Sequence, residues 1–169
     1  GAIIYQKAPI VMKHLELLMG DEAFRDGLRE YLDAHRYDNA TWPDLVRVMD
    51  ARSEEDVVAW SEVWVNEPGR PNVVARLEVD EDDVVERLVI SQGDAADRGR
   101  LWNQRMTVVA GWPDATMRRF PIRLRDASVE VAEMAGMPRP EWVLVNGDGI
   151  GYGNFVLEDR TRGRLAGGP

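Results

Sequence analysis

Pro68-Gly69-Arg70-Pro71 is the stretch on which the reading of this chain turns. Proline and glycine are the strongest local breakers of regular structure, and they fill three of these four positions. Upstream of the breaker, apolar residues recur at helical spacing. Downstream, short runs of β-type residues alternate with turn residues. The chain is therefore predicted to be an α+β protein of two units. Residues 1–69 form a helical unit, residues 70–160 an all-β sandwich, and residues 161–169 a Gly- and Arg-rich tail.

Four helices are predicted before the breaker. The nearest is capped by Ser53, with Asp56 three residues on and an apolar stripe of Val57, Trp60, Val63 and Trp64. The one before it starts at Thr41 as N-cap, places Pro43 in its first turn, and turns Leu45, Val46 and Met49 inward. A further helix is capped by Asp21 and carries Phe24, Leu28, Tyr31 and Leu32. The first helix has Pro9 in its opening turn, where a missing N–H costs little, and stops at Gly20.

Seven strands are predicted after the breaker, over 72–79, 84–91, 104–111, 117–124, 128–132, 142–145 and 154–157. Turn residues separate them: Asp80–Asp83, Gly93-Asp94, Trp112-Pro113-Asp114, Arg125-Asp126, Pro138–Pro140 and Asn146-Gly147-Asp148-Gly149. Many short strands with frequent turns point to a β-sandwich.

Composition limits the function classes. A chain of 169 residues with 44% hydrophobic and 30% charged residues can bury a core and stay soluble. No apolar run approaches the ~18 residues of a membrane-spanning helix, so no membrane segment is expected. The net charge of −9 repels phosphate backbones, so no nucleic-acid partner is expected. Most of that charge is in the helical half, where 14 acidic and 7 basic residues leave −7 over 1–69. Cys is absent, which excludes thiolate metal sites and cysteine nucleophiles and fits a cytoplasmic protein. The opening Gly1-Ala2-Ile3-Ile4-Tyr5 has neither an initiating Met nor a basic leader and reads as the interior of a longer chain.

The two histidines, His14 and His35, have no partner histidine at i and i+4, and no H-E-x-x-H is present. His14 reads as an ordinary helix residue. His35 sits where it can meet the carbonyls at a helix C-terminus. Gly147-Asp148-Gly149-Ile150-Gly151 has the look of a dinucleotide loop, but such a loop must open a helix. Here a strand follows, so a hairpin turn is predicted. Trp42, Trp102, Trp112 and Trp142 are read as packing residues, the default for large apolar side chains.

One short segment carries chemistry. Tyr5-Gln6-Lys7-Ala8, at the start of the first helix, resembles the Y-x-K-G-A segment of the aminopeptidase N family of zinc metallo-aminopeptidases (gluzincins), with Ala8-Pro9 where Gly-Ala is usual. Leu18-Met19-Gly20-Asp21-Glu22-Ala23-Phe24 resembles that family's L-L-G-E-E-x-F, and Gly27–Leu32 its G-L-R-x-Y-L. Tyr37–Thr41 with Asp44-Leu45 resembles Y-x-N-A-T-x-x-D-L. Trp60, Trp64 and Gly69–Val73 resemble W-x-x-x-W…G-x-P-x-V. In the β half, Trp142–Asn146 and Gly151-Tyr152 resemble W-x-x-x-N…G-Y, although Asn154-Phe155-Val156 lacks the usual Arg.

The resemblance implies that residues 1–69 are the last helices of a thermolysin-like catalytic domain, with the sandwich following it. It implies Tyr5 as a catalytic residue, its phenol donating to the oxyanion of a tetrahedral intermediate. It implies zinc in the longer parent, held upstream of Gly1, and no metal or cofactor in this chain. Peptide substrates and the rest of the parent chain are the expected partners, and the chain alone is expected to be inactive. Two alternatives stay open: a non-catalytic scaffold of the same architecture, and an independent binding module with a helical cap on an immunoglobulin-like sandwich.

Overall fold

A computed structural model describes residues 2–157 together with Thr161 and Gly163, with side chains from Lys7 onward. The chain divides into two units, Gly1–Pro68 and Gly69–Pro169.

The first unit is helical. Helix α1 spans Ala2–Met19, α2 Asp21–Ala34, α3 Trp42–Asp50 and α4 Val57–Ser61, which widens into a π turn over Glu62–Asn66. Val11, His14, Leu15 and Leu18 are buried along α1 at spacings of three, one and three, which is a single helical face. Helix α2 comes close to α3 at Gly27, where a Cβ would stand 2.6 Å from Met49 Sδ. Thr41 caps α3 as predicted, with its backbone N–H donating to the Asp44 carboxylate at 3.0 Å.

Three expectations for the helices need correction. Helix α1 begins at Ala2, so Pro9 lies inside the helix and not in its first turn. There it lacks the N–H that would bond the carbonyl of residue 5, a defect worth roughly 3 kcal/mol in an isolated helix. Helix α2 is capped by Gly20, at φ 86, and Asp21 lies within its first turn beside Glu22. Two carboxylates there complement the positive end of the helix dipole. The cap of α4 is Asp56, whose carboxylate accepts from the Ala59 N–H at 2.7 Å. Ser53 instead accepts from the Glu55 N–H, closing a turn one step earlier.

The second unit is a two-sheet sandwich. Its strands are β1 (Pro71–Val79), β2 (Val85–Asp94), β3 (Gln104–Gly111), β4 (Met117–Leu124), β5 (Ser128–Glu130), β6 (Trp142–Leu144) and β7 (Asn154–Val156). One sheet runs β5-β2-β1-β7 and the other β4-β3-β6. Alternating positions of the long strands meet in one core: Val73, Leu88 and Ile90 from the first sheet, Met106, Val108, Phe120, Ile122 and Leu124 from the second. A short 3-10 turn, Ala132–Met134, adds Met134.

Two features of this unit depart from the prediction. Strand β2 continues through Gly93-Asp94, because Pro71 and Asn72 of β1 remain in register with them. The segment between β6 and β7 is not a hairpin. Strand β6 pairs antiparallel with β3, whereas β7 pairs parallel with β1 in the other sheet. The glycine-rich turn therefore carries the chain from one sheet to the other.

Candidate functional site

The sequence's one candidate for chemistry, Tyr5, lies in the first half of α1. Its backbone is helical, and its side chain lies outside the described residues. Helical spacing puts position 5 one and two turns before Ala8 and Met12. Those two residues line an apolar groove with Lys7, Val11, Trp42, Trp64 and Val65, about 290 Å³ in volume. Among the described residues Lys7 is the one ionisable group lining the groove, and burial lowers its ammonium pKa.

The wall of the groove is held by aromatic contacts. Trp42 donates from Nε1 to Ser61 Oγ at 2.8 Å, so its indole bridges α3 and α4. Trp64 is fully buried and stacks on Trp60 with ring centroids 5.3 Å apart. It also meets the His14 ring, with centroids 4.7 Å apart. His14 is 2% exposed and so belongs to the packed interior of the helical unit. His35 sits at the C-cap of α2, its backbone N–H donating to Tyr31 O and its ring 5.0 Å from the Tyr31 ring. Among the described residues no three His, Cys, Asp or Glu side chains converge on one point. These residues do not fit a zinc site.

In the sandwich, polar side chains hold loops. Gln92 is 7% exposed. It donates from Nε2 to Asp126 O and accepts from the Trp102 N–H, each at 3.0 Å. Gln104 is 2% exposed, accepts from the Tyr152 N–H at 2.9 Å and donates to Tyr152 O at 3.1 Å. Asn146 does the same for Gly151, at 2.8 and 3.2 Å. Sequence reading assigned no such role to the two glutamines. Their signal was present: Gln92 continues the inward alternation of Leu88 and Ile90, and Gln104 begins that of Met106 and Val108.

At the start of the sandwich, Gly69 takes φ 136 beneath the Arg98 guanidinium, where a Cβ would lie 2.4 Å from an Arg98 nitrogen. The Tyr152 hydroxyl donates to Gly69 O at 3.0 Å, and burial raises the phenol's pKa, keeping the donor proton in place. Arg98 is held in turn by two bonds to Asp94, at 2.7 and 2.9 Å. The guanidinium bond, with help from the Ala96 N–H, pulls the Asp94 carboxyl down to about 2. A larger concavity, about 490 Å³, lies at the β3–β4 turn between Trp112, Arg118 and Pro138. Its one carboxylate, Asp114, is engaged by the Thr116 N–H of its own turn.

Comparison with known proteins agrees with the helical half. Residues 1–64 match the Peptidase family M1 domain. The chain is 38% identical to an aminopeptidase N of Lactococcus lactis subsp. lactis (strain IL1403), over 67% of this chain and 13% of that protein. It is 25% identical to an aminopeptidase N of Streptomyces lividans, over 94% of this chain and 20% of that protein. Among solved structures, Legionella pneumophila aminopeptidase A in complex with aspartic acid shares the fold. The TM-score is 0.56 at 16% identity, covering 85% of this chain and 17% of that one. The helices come first and the strands follow, and the match to the Peptidase family M1 domain falls on the helices. The chain belongs to the aminopeptidase N family. It spans between 13% and 20% of the length of the two aminopeptidase N relatives just described.

Proposed function

We propose that the longer protein containing this chain is a zinc aminopeptidase that removes N-terminal residues from peptides, and that Tyr5 is one of its catalytic residues. The observation that carries this reading is the match of residues 1–64 to the M1 domain, which includes Tyr5-Gln6-Lys7-Ala8 in α1. In that reading residues 1–69 end the catalytic domain, 70–160 form the sandwich that follows in the chain, and 161–169 are a linker. Zinc, which supplies activated water and a polarised carbonyl in such enzymes, would be held by residues elsewhere in the longer protein.

What this chain contributes is a phenol. Tyrosine is neutral near pH 7, with an ordinary pKa of ~10, so it can donate a hydrogen bond without bringing charge. A donor aimed at the oxygen of a tetrahedral intermediate is used only as negative charge develops there, which lowers the barrier and not merely the binding energy.

The test is Tyr5→Phe in the full-length enzyme, with turnover, Michaelis constant and melting temperature measured on one preparation. Loss of an oxyanion donor lowers turnover about a hundred-fold or more. Unchanged turnover with a lowered melting temperature would remove Tyr5 from the catalytic list. The chain by itself is expected to show no chelator-sensitive peptidase activity, and genuine turnover by the purified chain would overturn that part.

A further inference from the structure

We propose that Asn146-Gly147 is a covalent modification site, a deamidation site that the folded 146–152 loop holds closed and that reacts when the loop opens. Of the six asparagines in the chain, only Asn146 precedes a glycine. Without a Cβ, glycine lets its backbone nitrogen approach the preceding carboxamide closely. The Gly147 nitrogen gives up its proton and bonds to Asn146 Cγ. The Cγ–Nδ2 bond breaks and ammonia leaves, which closes a five-membered succinimide. Solvent water then adds to either ring carbonyl. The products are aspartate at 146, or an isoaspartyl linkage in which the main chain runs through the side-chain carbon. No oxidant or reductant is involved.

In the fold each reacting atom is engaged. The nucleophile, Gly147 N, donates to Thr107 O at 2.9 Å. Asn146 Oδ1 accepts from Gly151 N at 2.8 Å, and Nδ2 donates to Gly151 O at 3.2 Å. The Asn146 carbonyl accepts from Gly149 N at 3.2 Å. The turn also lies flat on β3, since a Cβ at Gly147 would stand 2.2 Å from Val109 Cγ2. Moving the nitrogen toward Cγ means giving up its bond to Thr107 O. The next residue, Tyr152, is pinned at both backbone groups by buried Gln104. Closure thus depends on two carboxamides acting in series along one loop.

The chemistry also runs one way. A carboxylate at 146 has lost the Nδ2–H donor that Gly151 O requires. An isoaspartyl linkage adds a methylene to the main chain and moves Gly147 N off Thr107 O. A loop that has reacted therefore does not reclose, and the site accumulates a record of every opening.

The experiment incubates the full chain at mildly alkaline pH in buffer, in sub-denaturing urea and in denaturing urea. Peptide mapping by mass spectrometry follows amide-to-acid conversion and isoaspartate at 146. The other five asparagines serve as internal references. Conversion in buffer is expected to be at least about tenfold slower than in denaturing urea, equivalent to an opening cost of about 1.4 kcal/mol or more. In sub-denaturing urea it is expected to rise in step with hydrogen exchange at the Gly147 and Gly151 amides. Gln104→Ala, shown to be folded by circular dichroism, is expected to lose most of the protection in buffer. Equal rates in buffer and denaturing urea would overturn the proposal, as would conversion that fails to follow amide exchange. A folded Gln104→Ala chain that converts no faster than the parent would overturn the serial closure.

Discussion

Replacing Gly111 with alanine sets two known effects against each other, and the structure decides between them. Gly111 ends β3, opposite Trp142 of β6 and Met117 of β4. Glycine inside a strand costs roughly 0.5–1 kcal/mol in conformational entropy, so alanine alone would stabilise by about that amount. A Cβ at Gly111, however, would stand 2.3 Å from both Cε2 and Cζ2 of the Trp142 ring, and 2.7 Å from Nε1. Carbon atoms pack best at about 3.5–4.0 Å, so the ring must lift by roughly 1 Å or more and give up its contact with the sheet. Overpacking of this kind costs about 1–3 kcal/mol. The net expectation is a loss of about 1–2 kcal/mol, or roughly 5–15 °C in melting temperature for a unit of this size. Thermal unfolding followed by near-ultraviolet circular dichroism measures it. The cause is isolated by repeating Gly111→Ala in a Trp142→Ala background, where the entropy gain should stand alone and the change should become neutral or favourable. A raised melting temperature in the single variant would refute the reasoning. So would an equal loss in both backgrounds.

Four other outcomes are expected. Gly69→Ala combines a left-handed backbone at φ 136 with a 2.4 Å approach to Arg98, and should lower the melting temperature of the sandwich. Asp94 has its pKa lowered to about 2, so its contribution is fully present above the ordinary carboxylate pKa and is lost as pH falls toward 2. An acid titration of stability should show that loss in the parent and not in Asp94→Asn. Asp56→Ala should cost the helical unit ~1 kcal/mol through its lost N-cap, and Ser53→Ala distinctly less, as read by urea unfolding. The proposed role of Tyr5 predicts that Tyr5→Phe in the longer protein lowers turnover about a hundred-fold with little change in melting temperature.

Element positions were legible because breakers and periodicity are local signals. Thr41 with Asp44 announces α3, and the alternation through Met106, Val108 and Ala110 announces β3. Helix ends were harder. Asp56 and Ser53 are both good caps, and only the fold selects the one whose carboxylate reaches Ala59 N. Sheet membership was not legible at all. Asn146-Gly147 looks like a hairpin turn in any sequence. The chain crosses to the other sheet because Gln104 and Asn146 bind the backbone of Tyr152 and Gly151, and a polar side chain's partner is a tertiary fact. His14 looked like an ordinary helix residue, and its burial against Trp64 follows from a residue fifty positions later. Tyr5 came from resemblance alone, since nothing in helical spacing separates a catalytic phenol from a packing one.

The parallel pairing of β7 with β1 has a consequence for how the sandwich is made. Strand β1 is flanked on one side by β2, its neighbour in sequence, and on the other by β7, whose Asn154 side chain bonds Asn72 across 82 positions. During synthesis the hairpin of β1 and β2 can form early, while one edge of β1 stays bare until residue 156 has left the ribosome. For that interval Val74, still 39% exposed in the finished fold, lies on an open strand edge able to recruit another nascent chain. Three later residues, Asn154–Val156, close that edge along Asn72–Val74. A ribosome stalled before Asn154 should therefore hold a sticky intermediate, and one stalled well after Val156 should not.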